Sequence, residues 1–407
     1  MASEWPTCRL EELAAPNDGS IAIGPFGSRL KADSYVDEGV ALIRGTNLGH
    51  GKSLAGQFVF ITSEKASELG NANLKPGDLV FPHRGAIGTV GIVPNDGRSY
   101  ALSTSLMKIT LDPKRADAEF FFYFFTSNAG RFELLKNASQ VGTPGIATPL
   151  QSLRGCIVPN LPLIEQRAIA EILGALDDRI DNLRQINATL EAIATALFKS
   201  RFVDFDGLPL EEMQESALGL IPKEWQVSTV GEYFDLTMGQ SPPGDTYNET
   251  GEGVPFYQGR TDFGSRFPTE RVYCTAPTRL AKKDNVLVSV RAPVGDINVA
   301  LSDCAIGRGV AAVHHEHASF ALYVLRSLQS AFKKFESEGT VFGSINKKQF
   351  EALQFVAPPD EIVHEFQSIA QPMDARIENN EMQIRTLAHL RDTLLPRLIS
   401  GQLRVKQ

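Results

Sequence analysis

The chain predicts an α+β protein: two similar mixed α/β globules separated by two long helices that form an intramolecular antiparallel coiled coil with pseudo-twofold symmetry. Three observations carry this expectation. A heptad stripe runs from Leu161 to Phe205, a second runs from Asp360 to Leu403, and the strand-like segments ahead of each stripe repeat as well. The expected division is residues 1–160 for the first globule, 161–205 for the central helix, 206–358 for the second globule and 359–407 for the distal helix.

In the first stripe Ile169, Leu173, Leu176, Ile180, Leu183, the polar Asn187, Leu190, Ala194 and Leu197 fall at alternating steps of four and three. That spacing is a coiled-coil seam. Pro162 suits the first helical turn, where its missing N–H would be unpaired in any case. At 1.5 Å per residue, ~40 helical residues make a rod of roughly 60 Å, which needs an equally long partner to bury its stripe.

The partner lies in the same chain. Moving 197 positions on takes Ile180 to Ile377, Leu190 to Leu387 and Leu197 to Leu394, and the distal seam reads Phe366, Met373, Ile377, Asn380, Ile384, Leu387 and Leu394. The repeat extends beyond the helices. Glu4–Trp5 resembles Glu224–Trp225, and Glu38–Gly39–Val40 with Gly45 resembles Glu252–Gly253–Val254 with Gly259. The run Gly77 to Gly88 resembles Asp284 to Gly295, and Gly142–Thr143 resembles Gly339–Thr340. A period of about 200 residues is a duplicated domain-plus-helix unit, not a solenoid.

Antiparallel packing pairs a positions with d positions. Asn187 is at a and Asn380 at d. The expectation is that their amides meet and that symmetry sets Leu183 against Ile384, because an Asn buried against leucine would leave its amide unpaired. Pro372 falls inside the distal stripe, where it removes a backbone hydrogen bond and is expected to kink or restart the helix, leaving it regular only from Met373 to Leu395.

Within the globules, short β-type runs alternate with glycine-rich turns: 41–45, 57–62, 78–85, 89–94 and 105–111 in the first, 254–259, 271–275, 285–291 and 309–315 in the second. Their Val, Ile and Phe enrichment is strand chemistry. One helix is expected near Ala118 to Leu135 and its counterpart near Phe320 to Phe335. Each globule should hold a curved, largely antiparallel sheet. Asp206 to Ser216 reads as a polar linker.

A chain of 407 residues with 43% hydrophobic and 22% charged residues fits a soluble protein of two or three domains. No apolar run approaches the ~20 residues of a membrane span, and the N-terminus lacks a basic-then-apolar signal pattern. Cys8, Cys156, Cys274 and Cys304 lie far apart without CxxC spacing, which reads as reduced thiols in a cytoplasmic protein. A net charge of −8 opposes an isolated, sequence-indifferent DNA binder, yet leaves room for local basic patches.

Motifs that suggest chemistry yield to plainer readings. Gly45 to Ser53 misses the phosphate-loop spacing by one residue. Ser241–Pro242–Pro243–Gly244 resembles the turn of amino-methyltransferases, but Gly244 stands where an aromatic residue would stack on a flipped base. Adjacent residues in His314–His315–Glu316–His317 point to opposite faces of an extended chain, so a solvated turn before a helix is favoured over a metal site. No Ser–His–Asp or Cys–His arrangement is visible. The matched polar residues are Arg84 with Arg291 and Thr143 with Thr340.

Two diverged globules on a rod of fixed length suit recognition of two different half-sites at a fixed separation. A DNA turn of about 34–36 Å compares with ~39 Å for the helix from Leu173 to Phe198. Basic residues in and near the turns are the candidate contacts: Arg44, His83, Arg84 and Arg98 in the first half, and Arg260, Arg291, Arg308, Lys347 and Lys348 in the second. Arg suits guanine edges and Lys suits phosphate.

At this point the chain resembles the specificity subunit of type I restriction–modification systems. The carrying features are the pattern from Pro162 to Ile180 with its weaker copy from Pro359 to Ile377, the run Gly77 to Gly88, the opening Met238 to Gly244, and the end from Leu390 through Gln402–Leu403. They cover the whole chain in the family's order. The resemblance implies a non-catalytic subunit that binds double-stranded DNA at a bipartite, asymmetric target, one half per globule. It implies two methyltransferase subunits as partners, bringing S-adenosylmethionine for adenine methylation, and restriction–motor subunits using ATP and Mg²⁺, with no cofactor bound by this chain. Three other readings remain open: the equivalent subunit of a system that fuses restriction with methylation, an adaptor that reads no nucleic acid, and a solo methyltransferase.

Overall fold

The computed structural model describes residues 5–25, 29–49, 51–139, 143–337 and 343–405. Glu4, Gly142, Gly339 and Thr340, four of the repeat positions, lie outside the described residues, as does His50. The chain forms two compact units, Met1–Leu183 with Gln383–Gln407, and Arg184–Met382. Each unit therefore holds one globule and a stretch of both long helices.

Among the described residues the first globule contains two larger sheets where one was expected, beside the two-stranded pairs Thr7–Arg9 with Ile157–Pro159 and Ala138–Ser139 with Gly145–Ile146. A four-stranded antiparallel sheet has the order Ile21–Ile23, Leu106–Ile109, Leu79–Pro82, Gly91–Ile92. A five-stranded sheet has the order Tyr35–Val36, Val59–Ile61, Val40–Ile43, Tyr100–Leu102, Asn73–Leu74, and its members Val40–Ile43 and Tyr100–Leu102 run parallel. The physical reason for two sheets is that the central strands are covered on both faces. Every residue of Val40–Ile43, Leu79–Pro82 and Leu106–Ile109 is buried, so these runs show no alternation, and the one charge among them, Lys108, is paired with buried Asp78 at 2.8 Å.

The second globule repeats both sheets strand for strand. Its four-stranded sheet is Asp235–Met238, Val310–His314, Val286–Ser289, Ile297–Val299. Its five-stranded sheet is Tyr247–Asn248, Tyr273–Cys274, Val254–Tyr257, Cys304–Ile306, Leu280–Ala281, with Val254–Tyr257 and Cys304–Ile306 parallel. The segment expected as a linker ends in a hairpin, Met213–Ser216 with Gly219–Pro222.

The helix expected from Ala118 to Leu135 is two helices, Ala118–Thr126 and Asn128–Leu135. Ser127 is extended, and its Oγ accepts a hydrogen bond from the Gly130 amide, so it caps the second helix. A Cβ on Gly130 would sit 2.2 Å from the Phe124 carbonyl oxygen, so only glycine permits this corner. All six residues from Phe120 to Phe125 are buried. The second globule divides likewise into Ala318–Ser327 and Gln329–Ser337.

The central helix is Leu163–Phe202 and the distal helix is Asp360–Ser400. The distal helix runs unbroken through Pro372, contrary to the expected restart. Pro372 is exposed, and so is Ser368, whose carbonyl it leaves without its helical donor, so water can serve that group.

In the first unit the helices are antiparallel: Ile180 and Leu183 pack with Ile384 and Leu387, and Arg391 Nη1 donates to Asp177 Oδ1 at 2.7 Å. In the second unit Arg201 pairs with Glu365, and Asn380 Nδ2 donates to Asn187 Oδ1 at 2.8 Å. Both expected layers, Asn187 with Asn380 and Leu183 with Ile384, are thus present. Along the seam Ile169, Leu173, Ile180, Leu183, Phe366, Ile377, Asn380 and Ile384 are buried, while Leu176, Asn187, Leu190, Leu197, Met373, Leu387 and Leu394 are half-buried.

Each globule is tied to its helices by a repeated bond. Tyr123 Oη donates to Asp177 at 2.8 Å, and Tyr323 Oη donates to Asp374 at 3.1 Å. Burial, then the adjacent Asp374 carboxylate, pushes the Tyr323 phenol up to about 12, so it stays a donor at neutral pH.

The asparagine layer is unequal. Asn380 is fully buried and its Oδ1 has no partner, whereas Asn187 is partly exposed. Asn187→Leu strands the Asn380 donor and should destabilise the chain by about 1–3 kcal/mol. Asn380→Leu removes the unpaired oxygen and lets water serve Asn187, so it should cost less. Urea midpoints of the two variants test this order; the reverse order would contradict it.

Candidate nucleic-acid interface

The parallel strand pairs fix where the basic residues collect. Val40–Ile43 and Tyr100–Leu102 end on the same side, and the Ser103 amide donates to the Ile43 carbonyl at 3.0 Å. The His83 amide donates to Ser105 at 2.9 Å, the Gly24 amide to Leu106 at 2.7 Å, and the Gly85 amide to Pro144 at 2.9 Å. Arg84 itself forms a bridge with Gly145. Five segments, around residues 24, 43, 84, 104 and 145, are thereby laced into one cluster.

The second globule builds the same cluster. The Gln240 amide donates to Ile306 at 3.0 Å, Gly307 to Tyr257 at 2.8 Å, Val290 to Gly309 at 3.0 Å and Ala292 to Gly343 at 2.9 Å. Arg291 bridges Ser344 as Arg84 bridges Gly145. The packing leaves no room for side chains at matched points. A Cβ on Gly24 would lie 1.9 Å from the Ser103 carbonyl oxygen, and one on Gly239 would lie 2.1 Å from that of Gly307. Rigid backbone at a loop cluster is what holds a reading side chain in place.

The candidate cations differ in availability. Arg84 and Arg291 are exposed and carry no ion pair or side-chain hydrogen bond among the described residues. Arg44 Nη2 is held by the Gln57 carbonyl at 2.8 Å. Arg308 Nε donates to Ser241 Oγ at 3.3 Å, and Arg260 is paired with Asp296. Lys347 pairs with Glu351 at 3.4 Å, and Lys347 and exposed Lys348 lie on the helix that follows the Ser344 bridge. Arg98 is placed elsewhere. It precedes Tyr100–Leu102, whose far end carries the cluster, and it lies 3.9 Å from Asp96.

His83 is half-buried, with Nε2 3.2 Å from the Thr104 carbonyl oxygen. Burial pushes its pKa below the ordinary 6.5, and the Arg84 charge adds to that, against the pull of the carbonyl. At neutral pH it is an uncharged ring that braces the turn, so the positive charge there belongs to Arg84.

The histidine run is not the solvated turn expected: His314 ends the strand Val310–His314, and the half-buried His317 ring lies 4.3 Å from that of His364. His314 and Glu316 are exposed, and the His315 ring stacks on Tyr233 at 5.3 Å. Among the described residues no group of His, Cys, Asp and Glu is set to hold a metal ion. No helix among them is long and apolar enough to cross a membrane. The described cysteines are free thiols.

Two further cations on the loops that follow Gly45 and Gly259, Lys52 and Arg266, are not among the candidates that the sequence offers. Lys52 Nζ lies 2.7 Å from Asp178 and 3.7 Å from Glu119, and Arg266 lies 3.2 Å from Glu191 and 2.5 Å from Asp374. The signal was present: Lys52 follows Gly45 at the interval at which Arg266 follows Gly259.

Residues 30–192 and 222–388 match the family model described as the type I restriction modification DNA specificity domain. The chain belongs to this type I restriction–modification DNA specificity family. It is 28% identical over 357 residues to the putative type I restriction enzyme MjaX specificity subunit of Methanocaldococcus jannaschii, an overlap of 85% of this chain and 83% of that one. It is 23% identical over 402 residues to the type I restriction enzyme HindI specificity subunit of Haemophilus influenzae, covering 81% and 87% respectively. Its fold is similar to the crystal structure of the type I restriction–modification system S subunit from M. genitalium, with a TM-score of 0.66 at 18% identity and coverage of 98% and 96%. The two globules are therefore the two target-recognition domains of a specificity subunit.

The pKa of His83 gives a test of its placement. A base whose pKa is depressed on folding supplies stability above its unfolded value, and that stability is lost as pH falls through the folded value. Between pH 7 and pH 5 the thermal midpoint of the chain should fall less in His83→Gln than in the parent. Equal falls would show that His83 is not buried against Thr104.

Proposed function

We propose that each globule reads one half of a bipartite, asymmetric double-stranded DNA target, with Arg84 and Arg291 as equivalent anchors. One observation carries this reading: the same five-segment cluster occurs twice, and each copy presents one unpartnered arginine in the same bridge while its surroundings differ. A free guanidinium on a braced turn is suited to bidentate contact with a guanine edge or a phosphate. Different neighbours around a common anchor suit two unlike half-sites. The remaining cations at the clusters, Arg44, Arg260, Arg308, Lys347 and Lys348, supply charge to the DNA backbone, and the acidic remainder of the chain limits indiscriminate binding.

The chain recruits its catalysts. Ile172 and Leu390 are exposed on the two helices in the first unit, and Ile369 and Ile193 in the second. The positions are related by the repeat, since 172 plus 197 is 369 and 193 plus 197 is 390. A doubled apolar pair supports two copies of one partner, namely two methyltransferase subunits. Those subunits bring S-adenosylmethionine, and restriction–motor subunits bring the ATP and Mg²⁺ chemistry, in a cytoplasmic complex. Ile172→Asp with Leu390→Asp should lower the methyltransferase count from two to one in native mass spectrometry; retention of two would contradict this.

The DNA reading has its own test. In the complex with its methyltransferase, Arg84→Ala and Arg291→Ala should each weaken binding about 10- to 100-fold, corresponding to roughly 1–3 kcal/mol. Each should relax base preference in one half-site only, and a different one. Competition binding with single-base target variants checks this. Loss of discrimination in both halves by either variant would contradict the assignment.

A further inference from the structure

We infer that Lys52 and Arg266 are positioning residues: they clamp each DNA-reading loop to its stretch of long helix and so set how strictly the spacer between half-sites is read. The inference rests on the bipartite reading proposed above.

In the first globule the loop that leaves the cluster at Arg44 reaches the central helix at Lys52 and Ser53. Lys52 Nζ meets Asp178 at 2.7 Å and Glu119 at 3.7 Å, and Ser53 Oγ donates to Asp181 at 3.2 Å. The helix is shaped to receive it. Gly174 lies in the middle of the central helix, where glycine costs about 1 kcal/mol relative to alanine. A Cβ there would stand 3.2 Å from Glu119 Oε2 and 3.3 Å from Lys52 Nζ, closer than ordinary van der Waals contact, so Gly174 lies directly against the clamp.

In the second globule the corresponding loop leaves the cluster at Arg260 and reaches the helices at Arg266. The guanidinium lies between Glu191 of the central helix and Asp374 of the distal helix. Glu191 also pairs with Arg326, and Asp374 accepts from Tyr323. The two clamps occupy equivalent positions in the repeat, yet they use different cations and different carboxylates. Duplication followed by divergence has kept the linkage while changing its parts.

Neither cation is placed to touch DNA. The side chains of Lys52 and Arg266 are only 15% and 5% exposed, and carboxylates face both. Burial opposes the charge on Lys52, but the hydrogen bond and charge of Asp178, with Glu119, outweigh it and raise the pKa. A cation so engaged gives mechanical linkage, and its charge is offset by the carboxylates around it. A loop fixed to the helix reads its bases at one distance along the DNA. A loop released from it can follow a half-site displaced by a base pair.

The test uses the chain assembled with its methyltransferase. Sequencing that detects methyladenine first defines the parent's target; absence of a bipartite motif would overturn the underlying reading before any variant is compared. Methylation is then measured on duplexes with the native spacer and with spacers one base pair shorter or longer. Lys52→Met and Glu191→Gln should each lower the preference for the native spacer about tenfold, a change of the size expected for one charge-assisted bond, with base preference in both halves intact. Lys52→Arg should keep the preference. Glu191→Gln is chosen because deleting Arg266, whose side chain is almost wholly buried, would leave a cavity, take a charge partner from both Glu191 and Asp374, and endanger folding. An unchanged spacer preference, an equal loss on all duplexes, or a smaller salt dependence of binding with spacer preference intact would each overturn the inference, the last by making Lys52 a phosphate contact.

Discussion

The hydrogen bond between Asn187 and Asn380 sets the register on which the long helices depend. A seam of Ile and Leu at heptad spacing tolerates a slip of seven residues, because each layer then meets another apolar layer. A slip would bury the Asn380 amide against an apolar neighbour, at a cost of about 1–3 kcal/mol, a large part of a typical margin of stability. The observed Nδ2 to Oδ1 distance of 2.8 Å favours one register. The layer is not fully satisfied, since Asn380 Oδ1 is unpaired. This is how a polar layer that specifies, at some expense in stability, is expected to look.

Register matters because the globules are attached to the helices at particular turns. Tyr123 bonds Asp177 and Tyr323 bonds Asp374, so each helix pair of a globule is anchored at the same repeat position. The arginine that completes each group has a different origin. Asp177 is met by Arg391 from the distal helix, whereas Asp374 is met by Arg266 from the second globule's reading loop. The reason is visible in the repeat: the position corresponding to Arg391 is Ala194, fully buried, so the second unit has no helix-borne cation at that point. The fold conserves the carboxylate and its phenol, and each half finds its own counter-charge.

Much of this was legible in the sequence because it is periodic or repeated. The heptads gave the long helices, the exception at Asn187 and Asn380 gave their register, and recurrence in a glycine-flanked turn singled out Arg84 and Arg291. What was hidden depends on contacts that periodicity does not show. The break at Ser127 requires Gly130 to approach the Phe124 carbonyl. Burial of central strands on both faces erased the alternation that would have revealed two sheets. Pro372 reads as disruptive because it removes a helical hydrogen bond, and only the structure shows that Ser368, whose carbonyl it frees, is exposed to solvent. Lys52 and Arg266 look like surface charges until the helices that supply their carboxylates are in place. Arg98 looked equivalent to the other arginines, but parallel strands put it at the wrong end.

On the bipartite reading proposed above, the length of the helices fixes the distance between half-sites. The most direct measurement is methyladenine sequencing after one heptad is inserted in both helices, following Leu183 in one and preceding Ile384 in the other, so that their pairing is kept. Seven residues add roughly 10 Å, which is at most about three base pairs. Both halves of the target should stay the same, and the spacer should lengthen by about one to three base pairs. An active complex whose spacer is unchanged would contradict this reading.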